Sequence, residues 1–224
     1  MNRSVLIVLS LALVGCQTSP TPPPTKPVSL SSVFRLAKLE EIDSAIGQAI
    51  AAGKAPGAVV RIESGRAVYQ KTFGDKAAKP ERSPMTADTI FDAASLTKVI
   101  ATAPAIALLI EQGKLGLDDR VEKWIPGFKK NGKGAVTIRH LLTHTSGLRP
   151  GLSPRPEWSG VATAIAKAKA EPLTEQPDTK FIYSDINFIL LGEIVRLVSG
   201  ERLDLFVSKN IFQPLGMNDT GFLP

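Results

Sequence analysis

A chain of 224 residues, 43% hydrophobic and 21% charged, has room for one domain with a short appendage and is too balanced for wholesale disorder. Its formal charge of +6 is scattered over residues such as Lys38, Lys71, Lys76 and Lys129, with no run of five. That pattern argues against the basic stripe of a nucleic-acid binder, so no nucleic-acid partner is expected. The single cysteine excludes an intramolecular disulfide.

That cysteine is explained by its position. Met1-Asn2-Arg3 is a basic start, residues 5–14 are apolar, and Gly15-Cys16 follows. The order is that of a signal peptide, and its apolar run is too short for a permanent membrane span. Leu13-Val14-Gly15-Cys16 resembles a bacterial lipobox. Residues 1–15 therefore read as a lipoprotein signal peptide and Cys16 as the lipidated first residue, held at the membrane and facing the periplasm or exterior of a bacterial cell envelope. Residues 16–32 are rich in Pro, Ser and Thr and cannot bury enough apolar surface to fold, so they read as a tether. The folded body is expected over 33–224.

Within the body, Val33, Leu36, Leu39, Ile42, Ala45, Ile46 and Ile50 recur at three and four residues, which predicts a helix ended by Gly53. Two strands are expected at 57–63 and 66–73, joined by a Ser64-Gly65 turn. Residues 95–112 predict a helix hydrophobic nearly all round and hence central to the fold. Short helices are expected at 118–124 and 137–142, a loop at 146–157, and further helices at 161–170, 187–198 and 203–211. Pro214 to Met217 reads as a turn. Two strands alone leave an uncovered hairpin.

The chemical signal is Ser95-Leu96-Thr97-Lys98. A serine hydroxyl needs a base within hydrogen-bond reach, and a lysine three residues on sits on the same helical face. The helix N-terminus would aim free N–H groups at an oxyanion forming beside Ser95. An apolar helix is expected to depress the Lys98 pKa. In Tyr183-Ser184-Asp185, read as an extended loop, residues two apart share a face, so Tyr183 and Asp185 can meet one site. A phenol beside an ammonium can ionise and serve as a base. His140 and His144 have helical metal-ligand spacing, yet no Glu lies between them and no acidic cluster follows; packing or loop-orienting roles are favoured. The proline-rich loop 149–158 could edge a substrate cleft.

Several blocks together, Phe91 to Lys98, Gly113 to Asp119, Thr137 to Leu148, Tyr183 to Asp185, and Pro214 to Met217, resemble the β-lactamase-related family of class C enzymes, D-alanyl-D-alanine carboxypeptidases and family VIII carboxylesterases. The resemblance implies an α+β, β-lactamase/transpeptidase-like fold: an antiparallel sheet backed by helices plus an all-helical lobe, the C-terminal strands missing here and the active site between them. It implies Ser95 as acylated nucleophile, Lys98 as its partner, Tyr183 as general base and Asp185 as a substrate-binding residue. The implied substrate is a small molecule or peptidoglycan peptide opened at an ester or amide, with no metal or organic cofactor. Two departures stand out. Asp185 replaces the family's Asn, and an anion there would favour a charged Lys98 and lean the mechanism on Tyr183. No Lys-Thr-Gly or His-x-Gly follows Tyr183, so the competing expectations are a non-catalytic lipoprotein that binds cell-wall peptides or a fragment of a longer enzyme.

Overall fold

The computed structural model describes residues 28–77 and 80–222. Cys16, the signal segment and most of the expected tether lie outside the described residues. Contacts divide the chain between Thr89 and Ile90 into two compact units.

The first unit opens with a 3₁₀ turn at Leu30–Ser32 and helix α1 (Leu36–Ala51). Strands β1 (Gly57–Ser64) and β2 (Ala67–Ala77) pair antiparallel from Gly57↔Gly74 to Ser64↔Ala67. The closing pair leaves Gly65-Arg66 as the two-residue turn, one position beyond the expected Ser64-Gly65. Gly65 has φ 57° and Arg66 does not share the left-handed region, the pattern of a II′ hairpin, where the first central residue is a glycine. A short third strand unforeseen in the sequence, β3 (Ser83–Pro84), pairs with the far end of β2. Helix α1 packs on β2, with Leu39 buried and Asp43 accepting from both the Tyr69 hydroxyl and the Lys71 ammonium. Donation to Asp43, with burial next, pushes the Tyr69 phenol up to about 12.

The second unit is helical. Residues Ala94–Leu96 form a 3₁₀ turn and Lys98–Thr102 a π-helical turn, leading into α2 (Ala103–Glu111). Over this whole run the inner face, Ala101, Ala105, Ile106 and Leu109, is almost fully buried, while Leu96 and Val99 are each 61% exposed. The all-round apolar pattern therefore conceals one buried face rather than a helix sheathed on every side. After α2 come α3 (Ile138–Leu142), α4 (Val161–Ala170), α5 (Asp185–Ser199) and α6 (Leu203–Val207), the last continued by a π-helical turn at Ser208–Phe212.

Helix α5 is the centre of this unit and packs against α2, α3, α4 and α6. Ile186, Leu190, Leu191, Ile194 and Val195 recur at three and four residues and are all fully buried. Each such side chain contributes roughly 1.5–3 kcal/mol of burial. The helix stops at Gly200, whose N–H reaches Arg196 O at 2.9 Å. The inventory, a small antiparallel sheet backed by a helix plus a helical lobe, is the α+β fold that the sequence implied.

Candidate active site

Ser95 stands at a strained bend. Ala94, the residue before it, has φ 43°, a left-handed conformation that costs a β-carbon-bearing residue about 1–3 kcal/mol. The Asp92 carboxylate holds that bend by accepting the Ala94 N–H at 2.8 Å. The bend leaves Ser95 exposed on the first helical turn. Lys98, one turn on, points its Nζ at Ser95 Oγ across 3.3 Å. The same ammonium pairs with Asp185 Oδ1 at 2.7 Å and lies 5.0 Å from the Tyr183 ring centroid and 5.8 Å from that of Phe188. Ser95, Lys98, Tyr183 and Asp185 thus meet, with Lys98 at the junction.

The electrostatics depart from the expectation of a depressed lysine. Burial does push the Lys98 ammonium down, but the Asp185 carboxylate paired with it and the Tyr183 phenol beside it outweigh burial and leave its pKa raised. The Ser95 hydroxyl and then the Lys98 ammonium hold the Tyr183 phenol below its ordinary value, against the opposing effect of burial and of Asp185. A cationic lysine beside an acidified phenol favours the phenol as the group that yields and accepts a proton.

The Tyr183-Ser184-Asp185 segment is not wholly extended. Ser184 is (φ −136°, ψ 119°), but α5 begins at Asp185, two residues earlier than expected. The extended Ser184 still turns Tyr183 and Asp185 away from its own side chain, which donates from Oγ to Arg149 O at 2.6 Å. The Asp185 N–H bonds Pro150 O at 2.7 Å, so the loop after Leu148 anchors this segment.

The two histidines do different things. His140 completes a capping box with Thr137, each side chain accepting the other's N–H, at 3.2 and 3.3 Å. His144 is buried with φ 57°, accepts the Ser184 N–H on Nδ1 at 3.0 Å and packs its ring on Tyr183, centroids 4.5 Å apart. Both are packing or orienting residues. The left-handed backbone at Ala94 and at His144 is the site geometry that residue type alone does not give, although histidine adopts that backbone more often than most residues and Asp92, two positions before Ala94, is a recognisable turn former. Trp158, at the end of the 149–158 loop, lines an apolar cleft of about 1210 Å³ with Val161, Ile165, Phe188 and Leu203.

A fixed neighbour supports the His144 turn. Gly147 has φ 77°, and its backbone runs so near Glu175 that a β-carbon would lie 2.0 Å from Glu175 O. Thr174 N–H and Oγ1 both donate to Gly147 O, at 2.8 and 3.0 Å, and Asp178 N–H bonds Thr145 O at 2.8 Å.

With this geometry in view, known proteins provide a comparison. Penicillin-binding protein 4* of Bacillus subtilis (strain 168) is 36% identical over 172 residues, covering 73% of this chain and 37% of that protein. The N-acetylmuramyl-L-alanine amidase of the same organism is 34% identical over 211 residues, covering 85% of this chain and 48% of its own length. A class C beta-lactamase solved in complex with cefoxitin superposes with a TM-score of 0.71 at 27% identity, over 81% of this chain and 51% of that one. The chain spans about half the length of the curated relatives it matches. The beta-lactamase family model matches residues 42–224, most of the sequence, and the chain belongs to that family of the penicillin-binding, serine-hydrolase superfamily.

Proposed function

We propose that the protein carrying this chain is a serine hydrolase that forms an acyl-enzyme at Ser95 and opens an ester or amide: a β-lactam, a D-Ala-D-Ala peptide or a small carboxylic ester. The observation that carries this reading is Lys98 Nζ set between Ser95 Oγ at 3.3 Å and Asp185 Oδ1 at 2.7 Å, with the Tyr183 phenol beside it. Relatives named as a penicillin-binding protein, an amidase and a class C beta-lactamase support it.

In the proposed reaction the Tyr183 phenolate takes the Ser95 proton as Oγ attacks the carbonyl carbon. Lys98 stays cationic and stabilises the phenolate. Collapse of the tetrahedral oxyanion breaks the bond to the leaving oxygen or nitrogen, which takes the proton from Tyr183. Water, deprotonated by Tyr183 in the same way, then attacks the acyl carbon; the bond to Ser95 Oγ breaks, Tyr183 returns the proton to Oγ, and the acid leaves. Asp185 fixes Lys98 and borders the substrate. Lipidation at Cys16 would hold this chemistry at the cell envelope, where peptidoglycan peptides are within reach.

Hydrolysis of nitrocefin, p-nitrophenyl butyrate and a D-Ala-D-Ala peptide by the intact protein tests the reading. Turnover of at least one is expected, with Ser95→Ala reducing it by about three or more powers of ten. Equal turnover by the variant contradicts it.

A further inference from the structure

We infer that His144 positions Tyr183 for proton transfer through its Nδ1, which accepts the Ser184 N–H. The inference rests on the reading of Ser95 as nucleophile and Tyr183 as base. Tyr183 itself is 45% exposed, so its own burial does not fix it and the backbone on either side must. His144 holds that backbone. Its carbonyl accepts the Ile182 N–H at 2.8 Å and its Nδ1 the Ser184 N–H at 3.0 Å, which clamps the residues on either side of Tyr183. Its ring lies 4.5 Å from the Tyr183 ring at 32°, backed by Phe188 at 5.2 Å and edge-on to Phe181 at 5.8 Å. Asn187 Nδ2 lies 3.5 Å from the same Nδ1, and Asn187 Oδ1 takes the Ser146 hydroxyl at 2.7 Å.

An Nδ1 that accepts requires the proton on Nε2. Burial, and then the Lys98 cation, hold the imidazole below its ordinary value, with Asp185 opposing. Protonating Nδ1 would expel the Ser184 N–H and release the clamp. Ser184 is itself fully buried, so its N–H has no water to turn to.

The chain holds two tyrosines, and Tyr69 is pushed up to about 12. The first phenolate to appear in an ultraviolet titration of the intact protein therefore reports Tyr183, a signal that mere packing of His144 would not move. His144→Phe keeps a ring and removes the acceptor. His144→Asn keeps an acceptor and tolerates the left-handed backbone. In His144→Phe the first phenol titration should move up toward the ordinary value, and fluorophosphonate labelling of Ser95 should slow roughly a hundredfold, the cost of a small misplacement of a catalytic group. His144→Asn should titrate close to wild type and label within about tenfold of it. A folded His144→Phe protein that titrates and labels as wild type overturns the inference. Should that variant not fold, His144→Asn decides: a folded protein labelled a hundredfold or more slower, roughly the full misplacement cost, overturns it too. Labelling that survives in Ser95→Ala instead removes the nucleophile reading itself.

Discussion

Lys98 and Asp185 form an ion pair of 2.7 Å between two helices, the lysine side chain 14% exposed and the carboxylate 60%. A buried ammonium without a partner would shed its proton readily; this one is held charged because its partner reaches it from the first turn of α5. In the proposed reaction the pair leaves Tyr183 as the group free to act as base. It also ties the turn that presents Ser95 to the helix that presents Asp185, so the electrostatics and the geometry of the site depend on one contact.

Replacing Asp185 by Asn separates these effects. Asp185 raises the pKa of Lys98 and opposes the lowering at Tyr183, so removing its charge lowers both. The base is then available at lower pH. The acid limb of the kcat/KM profile for p-nitrophenyl butyrate should move to lower pH in Asp185→Asn. An unchanged limb, or one moved to higher pH, contradicts the assigned electrostatics.

His144 links stability to pH. Its folded-state pKa lies below the ordinary imidazole value of 6.5, so the unfolded chain binds a proton that the folded one refuses. The corresponding stability is fully present above the unfolded value and is lost as pH falls through the folded one. Urea midpoints measured from about pH 8 to about pH 5 should therefore decline, and His144→Asn should flatten the decline. A parallel decline in wild type and variant assigns it to other groups.

Gly147→Ala should be severely destabilising. The left-handed backbone alone costs roughly 1–2 kcal/mol for a residue with a β-carbon. The approach to Glu175 O at 2.0 Å adds an overlap that two crossing backbones must move apart to relieve. A loss of about 3 kcal/mol or more in urea unfolding is expected. A loss under about 1 kcal/mol would show that the loop accommodates a side chain.

Cys16→Ala should release the protein from the membrane fraction of the cell, because lipid chains at that residue are the proposed anchor and two such chains give stable attachment. Fractionation and immunoblotting check it. Wild-type protein found wholly in the soluble fraction rules the anchor out.

Much of the fold was legible because burial and chain punctuation agreed. Val161–Ala170 was bounded correctly by Gly160 on one side and Glu171-Pro172 on the other. The short helix expected at 118–124 shrank to a turn at Val121–Lys123 for a tertiary reason. Arg120 bridges to Thr137, Val121 N–H goes to Val136 O and Ile138 N–H to Asp119 O, so the backbone groups a helix would use are committed across the chain. Ser95, Lys98, Tyr183 and Asp185 stand out in the sequence as candidates by residue type, spacing and family resemblance, and the structure brings their side chains together. How they come together is not legible there, because it depends on left-handed backbone at Ala94 and His144 that residue type alone does not fix. The raised Lys98 pKa followed from Asp185, a departure visible in the sequence; its outcome depended on a distance that was not.

Acylation of Ser95 can be read residue by residue through peptide mapping by mass spectrometry. The intact protein is incubated with a fluorescent penicillin and a fluorophosphonate, digested and searched for adducts. A covalent adduct is expected on Ser95, absent from Ser95→Ala and formed far more slowly in Tyr183→Phe. An adduct on another serine, or one of undiminished yield in Ser95→Ala, would contradict that expectation.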